Sequence, residues 1–314
     1  MMMMIRVGIC SWTEKTLVQS NEFYPEEVTT AEARLRYYAS HFDVVEVDST
    51  YYAIPTMQTV ARWAERTPED FVFHIKVYGS LTGHGVDPRS LPRDIQDMVN
   101  NRDREGKKVY IKDPSMLRDL ADRFKESLHP LVFHRKIGLI VFQYPPWFPY
   151  GHRNMDSILD VKKLMAPLAV AIEFRNGSWL TPDKRGSVMK FLKENGLIYV
   201  IADEPQFGGF KTVPFLPDVT GAISYFRFHG RNRENWFKKG VETSLRFAYQ
   251  YSENELKEFI PSIREAASKA QVTYLMFNNC YKTSAIRNAQ MTRKLLKEND
   301  VNYVSSLAAP KNME

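Results

Sequence analysis

Short apolar runs punctuate the chain, and each ends in polar or ionisable residues: Ile5–Cys10, Val44–Asp48, Phe71–Lys76, Ile137–Gln143, Ala169–Arg175, Leu197–Asp203, Ile223–His229 and Val272–Asn278. Their length and their Val, Ile and Phe content predict strands. Helix signals fall between most of them. Leu35, Tyr38, Ala39 and Phe42 share one face of a helix starting near Thr30, and Pro55 opens another that stops at Thr67-Pro68. Thr181-Pro182 begins a third, which Asn195-Gly196 closes. Ser252 and Glu255 form a capping box ahead of Leu256, Phe259, Ile260 and Ile263, and a last helix is expected over Ser284–Lys297. Eight strand–helix alternations predict an α/β fold of TIM type, a (β/α)8 barrel. No composition shift marks a linker, so residues 1–304 read as one domain. The segment 77–136 is a helical insertion after strand 3, and 305–314 is a C-terminal tail. Glu204–Val219, with three prolines and two glycines, leaves little room for a helix.

Alternation within the strands locates the chemistry. Ala169, Ala171, Glu173 and Arg175 share one face of the fifth strand, opposite Val170, Ile172 and Phe174. The second set suits the helix layer, which turns the first set into the barrel. Ile223, Tyr225, Arg227 and His229 group in the same way, as do His74 with Lys76, Glu46 with Asp48, and Leu139, Val141 and Gln143. Asp203 and Asn278 end the sixth and eighth strands. Charged groups are costly inside a barrel unless paired or used. An internal salt-bridge lattice (Glu46 with Lys76, Glu173 with Arg175 or Arg227, Asp203 with His229) is the structural alternative. The C-terminal end of such a barrel is where active sites lie, so a ligand site is the stronger expectation.

These residues suggest acid–base chemistry on a small anionic substrate, phosphorylated or nucleotide-like. Glu173 or Glu46 would be the base, and Lys76 or His229 the acid or electrophile, with Asp203 a further candidate. Lys76, Arg175, Arg227 and Arg231, with His84 or His229, would hold the anion, while Gln143 and Asn278 orient it. Aromatic residues near strand ends (Trp12, Tyr51, Tyr52, Trp147, Trp179, Trp236) are placed to wall a pocket for a ring or sugar. Lys76, Arg175 and Arg227 would repel a cation and no paired-His spacing appears, so no cofactor is expected, a divalent metal being the less favoured alternative. No Walker-type or GxGxxG pattern is present.

The quoted segments resemble the YecE-like family, also called domain of unknown function 72. The resemblance rests on Gly8 with Ser11-Trp12, Phe23-Tyr24-Pro25, Val45-Glu46-Val47-Asp48-Ser49-Thr50-Tyr51-Tyr52 with Pro55, and Gln143-Tyr144-Pro145-Pro146. Glu173-Phe174-Arg175 with Ser178-Trp179, Ala202-Asp203-Glu204-Pro205, Tyr225 to Arg231, and Phe277-Asn278-Asn279 complete it. It implies a TIM-type barrel and no particular reaction. It also draws Ser11, Trp12, Tyr52, Trp179 and Asn279 into the candidate substrate site. Asp48 stands where the family pattern usually has Asn, and Asn176 where it often has His, so the mouth carries an extra carboxylate.

Composition narrows the rest. Hydrophobic residues make up 44% of the chain, enough for a large core, yet no apolar run approaches the roughly 20 residues of a membrane span. Met1–Met4 leads straight into a strand-like segment without the features of a secretory signal, so a cytoplasmic protein is expected. Two cysteines give no disulfide framework; Cys10 and Cys280 would sit close together at the rim. The net charge of +6 gathers in Asn101–Lys108 and in Arg231–Lys239, where Arg231, Arg233, Lys238 and Lys239 accompany Trp236 and Phe237. Such loops leave nucleic-acid binding or processing as one rival function. A non-catalytic ligand-binding module is another.

Overall fold

Eight parallel strands close into a barrel in sequence order: β1 (Met3–Cys10), β2 (Val44–Val47), β3 (Val72–Lys76), β4 (Ile137–Gln143), β5 (Val170–Glu173), β6 (Ile198–Asp203), β7 (Ile223–Phe228) and β8 (Val272–Phe277). β8 returns to β1 in register from Met4↔Val272 to Ile9↔Phe277. This computed structural model describes residues 3–99, 104–105, 107–299, 301 and 303–304. The expected tail 305–314, and residues 101–103 and 106 of the first basic stretch, lie outside the described residues. Among those described, no helix is long and apolar enough to cross a membrane.

The period-2 pattern divides the core into two layers. Cys10, Val44, Leu139, Val141, Ala171, Ile198, Val200, Tyr225 and Met276 fill the lumen. Ile5, Val7, Ile9, Phe73, Ile75, Ile172, Ile201, Phe226 and Phe228 face the surrounding helices. β6 corrects the sequence reading at one point. Ile198 and Val200 point inward, so the inward position at its end is Glu204. Asp203 shares the outer face with Tyr199 and Ile201.

Thr30 caps the helix Ala31–His41, and Ser252 and Glu255 form a complete capping box on Glu253–Lys269. Thr56, one residue beyond Pro55, caps Met57–Glu65. Thr181-Pro182 lies ahead of the helix Arg185–Glu194 rather than inside its first turn. The insertion after β3 carries helices Arg93–Met98, Pro114–Ser127 and His129–Phe133, with a two-residue hairpin pairing Arg104–Glu105 to Lys108–Val109. Glu204–Val219 is irregular throughout.

One buried histidine shapes the lumen below the site. His74 Nδ1 accepts the Leu139 N–H at 2.9 Å, and its ring lies edge-on to Tyr274 and Tyr225. That bond substitutes for a ladder partner where the β3–β4 register shifts between Phe73 and Ile75. Burial lowers its pKa to about 3, so the ring is neutral. A Cβ on Gly138 would lie 2.5 Å from His74 Nδ1. Gly138→Ala should therefore cost roughly 1–3 kcal/mol, read as a lowered urea midpoint. An unchanged midpoint would mean that the bulge relaxes freely.

Candidate functional site

Above the aromatic layer of His74, Tyr225 and Tyr274 the lumen turns ionic. Arg227, fully buried on β7, spans the barrel. Its Nη2 reaches Glu46 Oε1 on β2 at 2.6 Å, and its Nη1 pairs with Glu173 Oε2 on β5 and donates to Gln143 Oε1 at 3.1 Å. The other Glu46 oxygen accepts the Tyr225 hydroxyl at 2.6 Å. Glu173 Oε1 takes Arg175 at 3.1 Å and His229 Nε2 at 3.0 Å, and Arg175 continues to Glu204 at 3.1 Å. The lattice read from the sequence exists: Glu173 pairs with both Arg175 and Arg227 as expected, and the other pairs change partners. Glu46 pairs with Arg227, Lys76 pairs with Asp48 at 3.5 Å, and His229 serves Glu173. Asp203 is chelated by Arg231 and accepts the Tyr251 hydroxyl.

Protonation follows from these contacts. Burial would raise Glu173, but Arg227, His229 and Arg175 outweigh it and hold its carboxylate well below the usual range. Glu173 is thus an organising anion and a poor base. His229 donates Nε2–H to Glu173, while its Nδ1 accepts from the Asn278 amide at 2.8 Å. Burial brings it down to about 3, leaving a neutral imidazole locked between its partners. Burial also takes His84 to about 4, with help from Lys76, Lys108 and Arg175. Neither histidine supplies a cation, which leaves Lys76 and Arg175 as the cations at the partly exposed end of the cluster.

Glu46 behaves differently. Burial, reinforced by Asp48 and opposed by Arg227, raises it to about 7. Asp48 lies within hydrogen-bond reach of it, and its Oδ1 is 3.7 Å from the same Arg227 nitrogen. Burial pushes Asp48 up, but Lys76 and Arg227 prevail and lower it. Below about pH 7 the two close carboxylates thus share one proton, which rests on Glu46. Glu204 is also raised to about 7, by burial against the pull of Arg175.

Exposure separates floor from mouth. Glu46, Glu173, Arg227 and His229 are sealed, whereas the side chains of Arg175, Lys76 and Asp48 are 11%, 14% and 23% exposed. Arg231 borders a cleft of about 370 Å³ with Asp203, Glu204, Gln206, Phe215 and Arg233. Tyr52 and Trp147 stand exposed on the rim.

Four expected ligand residues lie elsewhere. Trp12 packs edge-on to Trp63 and Phe73 in the outer layer. Trp179 stacks on Phe174 and Phe148 and donates to the Phe148 carbonyl. The Asn279 amide bridges the Tyr249 carbonyl and Asn288. Ser11 turns the chain at φ 84° and accepts the Thr13 N–H. Trp12 and Trp179 are thus taken up by aromatic packing, and Ser11 and Asn279 by hydrogen bonds within the fold. Glu204 joins the site as well, and extending the Ile198–Val200–Ala202 alternation by one step marks it.

Among the described residues no group of three His, Cys, Asp or Glu side chains forms a metal centre. The space between Glu46 and Glu173 is filled by the Arg227 guanidinium. Both cysteines are free; Cys280 donates to the Cys10 carbonyl, and burial pushes both thiols well up.

A family model described as protein of unknown function DUF72 matches residues 6–313. The UPF0759 protein YunF of Bacillus subtilis (strain 168) is 29% identical over 314 residues, covering 99% of each chain. The UPF0759 protein YecE of Escherichia coli (strain K12) is 36% identical over 79 residues, 25% of each chain. Among solved structures, a DUF72 family protein from Enterococcus faecalis V583 superposes with a TM-score of 0.76 at 29% identity, covering 94% of this chain and 96% of that one. A DUF72 family protein from Thermotoga maritima MSB8 gives 0.73 at 30% identity, covering 94% and 99%. With the family pattern running through nearly every residue of the barrel, this chain belongs to the DUF72 family.

Proposed function

We propose that the barrel is an enzyme that moves a proton on or off a small anionic substrate at its C-terminal mouth. The observation that carries this reading is the meeting of Glu46 and Asp48 on one nitrogen of Arg227, at 2.6 and 3.7 Å, with Glu46 sealed and Asp48 partly exposed beside Lys76. A carboxylate pair sharing a proton near neutrality is poised for general acid–base work. Asp48 would exchange the proton with substrate, and Glu46 would store it. Lys76 and Arg175 would hold the anion, with Gln143 orienting it. Glu173 and His229 act as positioning residues for the two arginines. Stability alone does not call for this arrangement, because an apolar lumen of the same volume serves a fold at least as well as a buried ion cluster.

The charge balance sets the test. With Glu46 and Glu204 protonated, Lys76, Arg175 and Arg227 outnumber Asp48 and Glu173. Ionising both through about pH 7 reverses the excess. Sulfate keeps its charge throughout this range. Calorimetry should show it binding about tenfold more tightly near pH 5.5 than near pH 8.5, and Lys76→Ala should remove most of that affinity. Sulfate binding indifferent to both pH and Lys76 would end the anion reading.

A second reading places single-stranded nucleic acid on the same face. Exposed Phe210 and Phe237 favour it, together with Arg233 over the Phe207 ring at 4.7 Å. Arg231 is engaged by Asp203, as Arg175 is by Glu173 and Glu204.

A further inference from the structure

One side of the mouth is an aromatic wall continuous with the cationic site. Lys76 Nζ lies 4.9 Å above the Tyr51 ring; Tyr51 meets His84 at 5.3 Å, and His84 meets Trp147 at 5.5 Å. The wall is built rather than draped. Gly79 lets Tyr51 lie on the backbone, since a Cβ there would come within 3.0 Å of the ring. His84 is held through Thr82, whose hydroxyl gives its one proton to the Gly79 carbonyl at 3.0 Å. The 2.8 Å contact to His84 Nδ1 must then run from imidazole to hydroxyl. Nδ1 therefore carries the hydrogen, and Nε2 is left as an acceptor. Trp147, at the outer end, keeps 62% of its surface exposed, an uncommon state for so large an apolar side chain on a fixed wall.

We infer that the substrate joins a planar aromatic or heteroaromatic ring to its anionic group, with the ring against Trp147 and the anion on Lys76 and Arg175. This rests on the anion reading above and names the substrate class of that same site. The wall gives a ring a face to stack on, and His84 Nε2 offers an acceptor to an N–H or O–H on its edge. A compact anion would leave both unused.

Phenyl phosphate and methyl phosphate carry the same anion and differ in the ring, so calorimetry on the intact protein with both separates the two readings. Phenyl phosphate should bind about tenfold or more tightly than methyl phosphate, the size of one aromatic stacking contact. Trp147→Ala should bring phenyl phosphate down to the methyl phosphate level, and Trp147→Phe should restore most of the difference. Equal affinity of the two compounds for the unaltered protein, with both binding, overturns the ring inference and leaves the anion site standing. A ring advantage that survives Trp147→Ala overturns the assignment to this wall. Binding of neither compound overturns both readings.

Discussion

Replacing Arg227 by leucine should destabilise the protein by about 3–5 kcal/mol at pH 8, measured as the loss of unfolding free energy in urea. Arg227 is sealed, and it is the cation shared by Glu46 and Glu173, both also sealed. Removing it strands Glu46 and leaves Glu173 with Arg175 as its one cation, in a medium that solvates carboxylates poorly, which is the costly way to break a buried ion cluster. The pH dependence carries the sign. Without Arg227, Glu46 rises further above its unfolded value, so the folded variant holds more protons there than the unfolded chain. Its stability must then fall as pH rises from the ordinary carboxylate range through neutrality. The deficit against the parent protein should accordingly be widest near pH 8 and shrink toward pH 5. Glu46→Gln in the Arg227→Leu background should recover part of it, since one stranded charge is then gone. Opening the exposed Asp87–Arg89 pair, 2.6 Å apart, should leave the midpoint unmoved. A flat deficit across pH would mean that lost packing, not stranded charge, is the cause.

That arrangement was only half legible in the amino-acid sequence. Strict alternation along β5 and β7 turns Glu173 and Arg227 inward once the helix layer claims Ile172, Phe226 and Phe228, so the ring of charges follows from period alone. The pairings do not. Arg227 is long enough to cross the lumen, and nothing local distinguishes Glu46, far away in the chain, from the nearer Glu173 as its partner. Glu204 is hidden because the sixth apolar run stops at Asp203, just before Pro205, while its inward face continues one residue further. Trp12 and Trp179 misled for the opposite reason. They follow strand ends closely, but the chain has already turned outward, and the space beneath the helices takes their rings. The neutrality of His229 and His84 comes from burial, helped at His84 by Lys76, Lys108 and Arg175, surroundings that no spacing rule encodes.

Glu46→Gln should lower turnover on any substrate the protein is found to process by about 10²–10⁴-fold, the usual worth of a positioned proton-transfer group. A direct readout is solvent deuterium entering a C–H bond of a phosphorylated or carboxylated compound, followed by NMR in heavy water. The substitution keeps the shape of Glu46 and an acceptor for Arg227 or Tyr225, so the fold should survive, but the side chain can no longer take or give a proton. It also withdraws a negative charge from beside Asp48, which makes Asp48 a weaker base and deepens the loss. In the parent protein the pair picks up its proton near pH 7, so base-dependent turnover should decline as pH falls through that value. Asp48→Asn separates storage from exchange, and it also installs the residue that the family pattern usually carries there. If turnover persists while its acid limb moves to lower pH, Glu46 is itself the base, relieved of a like-charged neighbour. If turnover is lost as fully as in Glu46→Gln, the proton travels through Asp48. Full deuterium incorporation by both variants would remove the carboxylate pair from the chemistry altogether, leaving it as a structural partner of Arg227.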